Sequence, residues 1–316
     1  ADGTLVANQH NAGNVNDGYQ GPPTSGMQAN ARQVRKFDRK TANPNHPDYD
    51  AELVRNFPGV IFNPAEFSDN LVYNQLKPLI QKKNCIPDAQ WKRILQDCLV
   101  EIETVPHSEQ VFERKQFVEN YLTDLKEKHQ AHYNPGWVNL EDALFLYWVV
   151  RQLNPKRIVQ TGVCNGLSSA FMMLALAKNG PDGTLHVIDM PPIFDSTDSN
   201  WTIKNKLYGV VIPEGKSSGW LVPDAYRDRF EVLNGDAKDL LPGLLQKVGS
   251  IDMFYHDSDH TYDHMMFEFI EAKKYLTQHG VIVSDDISWN ASLWDFADQY
   301  MVPAYNYRGS MGIACF

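Results

Sequence analysis

The chain has 316 residues, 43% of them apolar and 22% charged, and its formal net charge is −10. Such a composition is that of a water-soluble globular protein. The acidic balance excludes a nucleic-acid backbone as principal partner, because counterion release needs clustered Lys and Arg. No apolar run approaches the roughly 20 residues of a membrane span, and no signal-peptide pattern opens the chain. A cytoplasmic protein without a membrane partner is therefore expected. The four cysteines (Cys85, Cys98, Cys164, Cys315) show no C-x-x-C spacing, which excludes a zinc knuckle and a disulfide framework.

Residues 1–50 are rich in Asn, Gly, Pro and Gln and lack apolar periodicity, so they read as an extended or disordered arm. Tyr19, Arg32, Arg35, Lys36 and Phe37 are its points for docking on a neighbouring subunit. Residues 51–134 form a helical cap, with helices expected over 69–82, 87–103 and 108–130. The last of these carries Val111, Phe112, Phe117, Val118, Tyr121, Leu122 and Leu125 on one face. A cap and a long arm together suggest a homo-oligomer.

Residues 135–316 have the alternation of an α/β domain. Asn139 caps a nearly all-apolar helix from Leu140 to Leu153. Arg157 to Asp189 then reads as a strand, a loop with Gly162 and Gly166, a helix from Leu167 to Lys178, and a second strand ending in Asp189. That is the order of a nucleoside-binding βαβ unit: glycines admit close backbone approach, and a terminal carboxylate suits a ribose diol. A G-x-G-x-x-G fingerprint is absent, which argues against a pyrophosphate-bearing cofactor. Cys164 in this loop reads as a buried small hydrophobe.

The segment from Pro191 to Pro223 lacks a regular pattern and reads as a lid, with Trp201, Tyr208 and Trp220 as aromatic candidates for substrate contact. Strands follow at 230–233, 251–256 and 281–284, with helices at 237–247, 262–278 and 288–300. Two final strands, 302–307 and 311–316, form an antiparallel hairpin. The expected architecture is a mostly parallel seven-stranded sheet with a C-terminal antiparallel hairpin, plus the helical cap.

Two strand ends are acid-rich: Tyr255-His256-Asp257-Ser258-Asp259-His260 and Ser284-Asp285-Asp286. In a parallel sheet both lie at one edge, so Asp257, Asp285 and Asp286 converge. Three carboxylates without a compensating Lys or Arg repel one another unless protonated or bound to a cation, and oxygen ligands suit Mg²⁺, Mn²⁺ or Ca²⁺. The alternative is that these acids are turn residues and helix caps. His260 is the candidate general base, with neighbouring carboxylates expected to raise its pKa; His256 and His264 are its rivals.

The segments VQTGVCNGLSS, LHVID, NGDAKDLLP, IDMFYHDSDHTYDH and GVIVSDD resemble the class I S-adenosylmethionine-dependent methyltransferases. The likeness is strongest to the metal-dependent branch with catechol O-methyltransferase and the macrocin-type sugar O-methyltransferases, and covers about residues 135–316. The resemblance implies a Rossmann-like fold that binds S-adenosyl-L-methionine. Thr161, Gly162, Val163, Gly166, Ser168 and Ser169 would lie against its methionine and ribose parts, Asp189 would take the ribose hydroxyls, and Asp236 with Ala237 would border the adenine. Asp257, Asp285 and Asp286 match the metal ligands, for Mg²⁺, and His260 with Asp257 would be catalytic. Gln160 departs from the acidic residue many relatives carry, and Cys164 from a frequent glycine. The implied reaction is O-methylation of a small hydroxylated substrate, a sugar or glycosylated natural product ahead of a catechol. N-methylation, an NAD-linked oxidoreductase and a non-catalytic scaffold with the same fold are the alternatives.

Overall fold

The structure, a computed structural model, describes residues 88–129, 134–190, 211–287, 289–307 and 310–316. The arm, the expected helix over 69–82, and Trp201 and Tyr208 lie outside the described residues. Helix α1 (Asp88–Ile102) and α2 (Ser108–His129) precede α3 (Leu140–Leu153). The alternating unit follows as β1 (Arg157–Thr161), α4 (Leu167–Asn179), β2 (Thr184–Asp189), β3 (Phe230–Asn234), α5 (Ala237–Val248) and β4 (Ile251–His256). It ends with α6 (Tyr262–Lys273), β5 (Leu276–Ser284), α7 (Ser292–Tyr300), β6 (Ala304–Tyr307) and β7 (Met311–Cys315).

The strands form one seven-stranded sheet in the order β3-β2-β1-β4-β5-β7-β6, parallel from β3 to β5 and antiparallel in the β5-β7-β6 part. This is the expected Rossmann-like α/β architecture. The order reverses between β1 and β4, so the loops leaving these two strands diverge and open a crevice at the carboxyl edge.

Helices cover both faces. On one side α3 and α4 lie against the sheet, and α1 and α2 join the same apolar core. On the other side α5, α6 and α7 form the second core, around Phe254, Phe269, Trp294 and Phe296. Helix α3 is buried from Asp142 to Val150 because it is sandwiched between sheet and cap; its N-cap is Asn139, whose side chain accepts from Asp142 N–H. The cap is pinned by polar contacts as well. Arg151 grips Glu101 through Nε and Nη2 (3.0 and 2.7 Å), and Tyr147 OH donates to the same carboxylate at 3.0 Å.

Four local expectations change. On α2 the buried stripe is Val111, Val118, Leu122 and Leu125, while Phe117 is half exposed, one position off that stripe. Helix α6 stops at Lys273 instead of reaching residue 278, and β5 starts at Leu276 instead of Val281. Residues 274–278 have helical composition, but pairing of Leu276 with Ile251 draws them into the sheet, with an irregularity before Val281 meets Met253. Helix α7 starts at Ser292, because a turn from Asp286 to Trp289 and the Asn290 side chain, accepting from Ser292 N–H, occupy the preceding residues. Strand β6 starts after Pro303, where Met301 in the left-handed region (φ 52°) ends α7.

Candidate active site

The site is built where β1 and β4 part. Thr161 ends β1, and Gly162 follows in the left-handed region at φ 77°. Its amide donates to Ile188 O at 2.9 Å, and Asp257 N–H donates to Thr161 O at 2.9 Å. A Cβ on Gly162 would lie 1.9 Å from the Asp257 carbonyl oxygen. The glycine loop and the first acid-rich loop are therefore in backbone contact. Gly166 (φ 91°) opens α4 and also meets backbone closely, a Cβ there lying 2.6 Å from the Gly219 Cα.

Asp189 ends β2 and folds under the glycine loop. One carboxylate oxygen accepts from Val163 N–H at 2.9 Å, and the other accepts from the Ser218 hydroxyl. Ser168 and Ser169 are buried and engaged with Gln160: the amide donates to Ser168 Oγ at 3.0 Å, and Ser169 Oγ donates to Gln160 Oε1 at 2.7 Å. Gln160 thus ties both serines into a neutral network. Asp236 is the N-cap of α5, accepting from Lys238 N–H, with Ala237 buried behind it. Cys164 is buried as expected; burial pushes its thiol pKa well up, which removes it as a nucleophile.

The second half of the expected lid is instead a fixed wall. Val211, Trp220, Leu221 and Val222 belong to the core. Gly219 N–H donates to Cys164 O and Leu221 N–H to Asn165 O, while the Trp220 indole donates to Asn165 Oδ1 at 2.8 Å. From the other side Arg114 of α2 donates to the Trp220 and Val222 carbonyls. Trp220 is thereby withdrawn from any role as a mobile substrate platform. The wall was unreadable in sequence because its burial comes from these long-range backbone bonds.

Across the crevice, Asp257, His260 and Asp285 bring one donor atom each within 4.8 Å of one another. Asp286, the third expected acid, stands beside this group with Oδ2 3.8 Å from His260 Nε2, and adopts φ 49°. Asp259 is a turn residue, accepting from Thr261 N–H. Burial, then repulsion by Asp286, pushes Asp257 well above the usual carboxylate range; burial and the Asp257 charge do the same to Asp285. Tyr255 OH donates to Asp257 Oδ2 at 3.2 Å. Asp142, in the first turn of α3, adds repulsion to both acids.

His260 corrects an expectation. Burial lowers its pKa to about 4, outweighing the upward pull of Asp286, so the imidazole is neutral at pH 7. Counting charges without burial gave the opposite sign. Its side chain is 15% exposed, and its ring lies 5.3 Å from the half-exposed Trp289. The rivals are otherwise occupied: His256 Nδ1 is 2.6 Å and His264 Nε2 2.8 Å from opposite oxygens of Glu268. Of the three, His260 is the one facing the acids.

Glu268 was not singled out in sequence. Fully buried on α6, it also accepts from Thr161 Oγ1 at 2.6 Å and Ser258 Oγ at 2.8 Å. Burial alone would raise its pKa, but His256 and His264 hold it below the usual range. Its sequence signal was a lone acid between apolar neighbours, Phe267 and Phe269, at i+4 from His264.

No helix among the described residues is long and apolar enough to cross a membrane. Residues 159–287 match a family described as a methyltransferase domain. No curated protein matches the chain. Among solved structures, the O-methyltransferase TomG from Streptomyces achromogenes, involved in tomaymycin synthesis and bound to SAM, is 16% identical with a TM-score of 0.43, covering 73% of this chain and 99% of its own. An O-methyltransferase from Bacillus cereus in complex with SAH is 14% identical with a TM-score of 0.39, covering 78% and 96%. A Podospora anserina methyltransferase bound to SAH is 15% identical at 0.39, covering 80% and 96%.

Proposed function

We propose that the methyltransferase domain of this chain O-methylates a hydroxyl of a small molecule, a sugar or glycosylated metabolite, with S-adenosyl-L-methionine as donor and a divalent cation, Mg²⁺, at the acid cluster. The observation that carries this reading is the backbone contact between Gly162 and Asp257, which sets a nucleoside-type loop directly beside the Asp257–His260–Asp285 cluster. Donor and acceptor would then be neighbours, as direct displacement requires.

The residues fit both groups. Gly162 and Gly166 leave backbone open to a ligand without a phosphate cradle, and Asp189 offers its carboxylate to a ribose diol, with Ser218 the hydroxyl that would give way. S-Adenosyl-L-methionine supplies the electrophilic sulfonium methyl. The pair Asp257, half-buried, and Asp285, buried, lacks any Lys or Arg among its strongest charge partners and matches the donor chemistry of a hard cation, with Asp286 beside it. Such an ion lowers the pKa of a bound hydroxyl. His260, neutral at pH 7, accepts the hydroxyl proton at Nε2, the nitrogen that faces Asp257 and Asp286. Trp289 offers an apolar face beside His260 for the substrate ring.

Calorimetric titration with S-adenosyl-L-methionine, with Mg²⁺ and with EDTA, tests the reading. Micromolar binding by the wild type is expected, and Asp189→Ala should weaken it at least about 100-fold through loss of a charged hydrogen bond and of the loop it pins. Absence of binding in every condition would leave a non-catalytic scaffold as the better reading. With binding established, a screen of vicinal diols separates sugars from catechols.

A further inference from the structure

We propose that Glu268 is a positioning residue that locks the glycine loop to the acid-bearing loop, so that the donor and cation sites hold one geometry. The inference rests on the function proposed above. Glu268 lies outside both sites, on α6, yet it bonds the residue preceding Gly162 and the residue following Asp257. Its Oε2 receives the Thr161 hydroxyl and faces His256 Nδ1; its Oε1 receives the Ser258 hydroxyl and faces His264 Nε2. Both oxygens are thus saturated by groups from three elements.

A buried carboxylate is costly, and an apolar side chain would serve packing alone as well or better. Here the polar partners are not distributed at random. Thr161 ends β1 and Ser258 stands on the loop after β4, the two strands at the sheet's switch point, and each is adjacent to the glycine or acid that makes the backbone contact described above. A displacement of either loop must pass through Glu268 or break a hydrogen bond to it. The joint is rigid, since Thr161, His256 and Glu268 have no exposed surface.

Coupling of this kind is measurable as a cross-effect. The conservative variants Thr161→Val and Ser258→Ala each remove one bond to Glu268 from one loop. Mn²⁺ affinity, read by electron paramagnetic resonance, and S-adenosyl-L-methionine affinity, read by calorimetry, are measured on both. Thr161→Val should weaken Mn²⁺ about 10-fold, and Ser258→Ala should weaken the nucleoside to a similar extent, the usual range for a supporting hydrogen bond at a metal site. In a Glu268→Leu background, which offers neither hydroxyl a polar partner, both cross-effects should vanish. If each variant altered only the ligand of its own loop while the wild type bound both, the proposal would be overturned and the proposed function would stand. If the wild type bound neither ligand, both would fall.

Discussion

Gly162→Ala is expected to destabilise the protein by roughly 2–6 kcal/mol and to abolish nucleoside binding. The estimate joins about 1–3 kcal/mol for a side chain in the left-handed region to about 1–3 kcal/mol for overpacking. Both costs apply because Gly162 sits at φ 77° with its missing Cβ 1.9 Å from the Asp257 carbonyl oxygen. A flexible neighbour would yield, but the obstacle is backbone, held by the Asp257 N–H bond to Thr161 O. The loops must separate, and the separation moves Asp257. The melting midpoint should fall on the order of 10 °C, and Mn²⁺ affinity should fall with it although the substitution removes no cation-binding carboxylate. A variant that melted normally and kept its cation affinity would show that the two loops are not in contact.

The second large effect is expected from Asp257→Asn combined with Asp285→Asn. Turnover should drop by at least about 100-fold, since removal even of a supporting group at such a site costs 10- to 100-fold, and Mg²⁺ should no longer shift the melting midpoint. In the wild type, saturation at about 100 times Kd is worth about 2.7 kcal/mol, or roughly 5–10 °C. Its pH dependence has a definite sign. Burial and the Asp286 charge raise both carboxyl pKa values in the fold, and the Asp257 charge adds to the rise at Asp285. In the ion-free protein the stability that goes with the protonated pair is fully present below the unfolded pKa and is lost as pH rises through the folded values. Added cation removes that loss, so its stabilising effect should be small at pH 5 and large at pH 8. By the same logic the ion-free double variant should melt above the ion-free wild type at pH 8, trading function for stability. An equal response of both proteins to Mg²⁺ would remove the acids from any cation site.

Much of this site was legible in the sequence because its parts are local. A β-type run that ends in Asp, or turns at Gly, places that residue at a strand's carboxyl edge whatever the rest of the fold does. Asp189, Asp257, Asp285 and Gly162 were readable in this way. What escaped depends on distant partners. Glu268 looks like a solvated helix residue until Thr161 and Ser258 are seen to converge on it. The pKa of His260 moves down because burial is a property of the whole fold, while the neighbouring acids are visible in the string. Leu276 joins β5 only because Ile251 is there to receive it, against the helical composition of its own neighbourhood. Trp220 was identifiable as important, but its role as a wall follows from Asn165 and Arg114, which are remote in sequence.

The mixed sheet also has a kinetic meaning. β1, β2 and β3 are neighbours in space in their order along the chain, whereas β4 must return past β2 to the far side of β1, and β5 is flanked by β7, which follows it. Loop-closure entropy favours the nearer pairings first. The pairing of Ile158 with Met253 spans by far the longest stretch of chain. The half that carries the glycine loop and Asp189 and the half that carries Asp257 and Asp285 should therefore each gain protection before β1 and β4 join them. Pulse-labelled hydrogen exchange during refolding would reveal this as early protection of amides paired between β1 and β2 and between β4 and β5, against late protection of those paired between β1 and β4. The two halves of the site would then be acquired separately, and the contact at Gly162 would be the step that joins them.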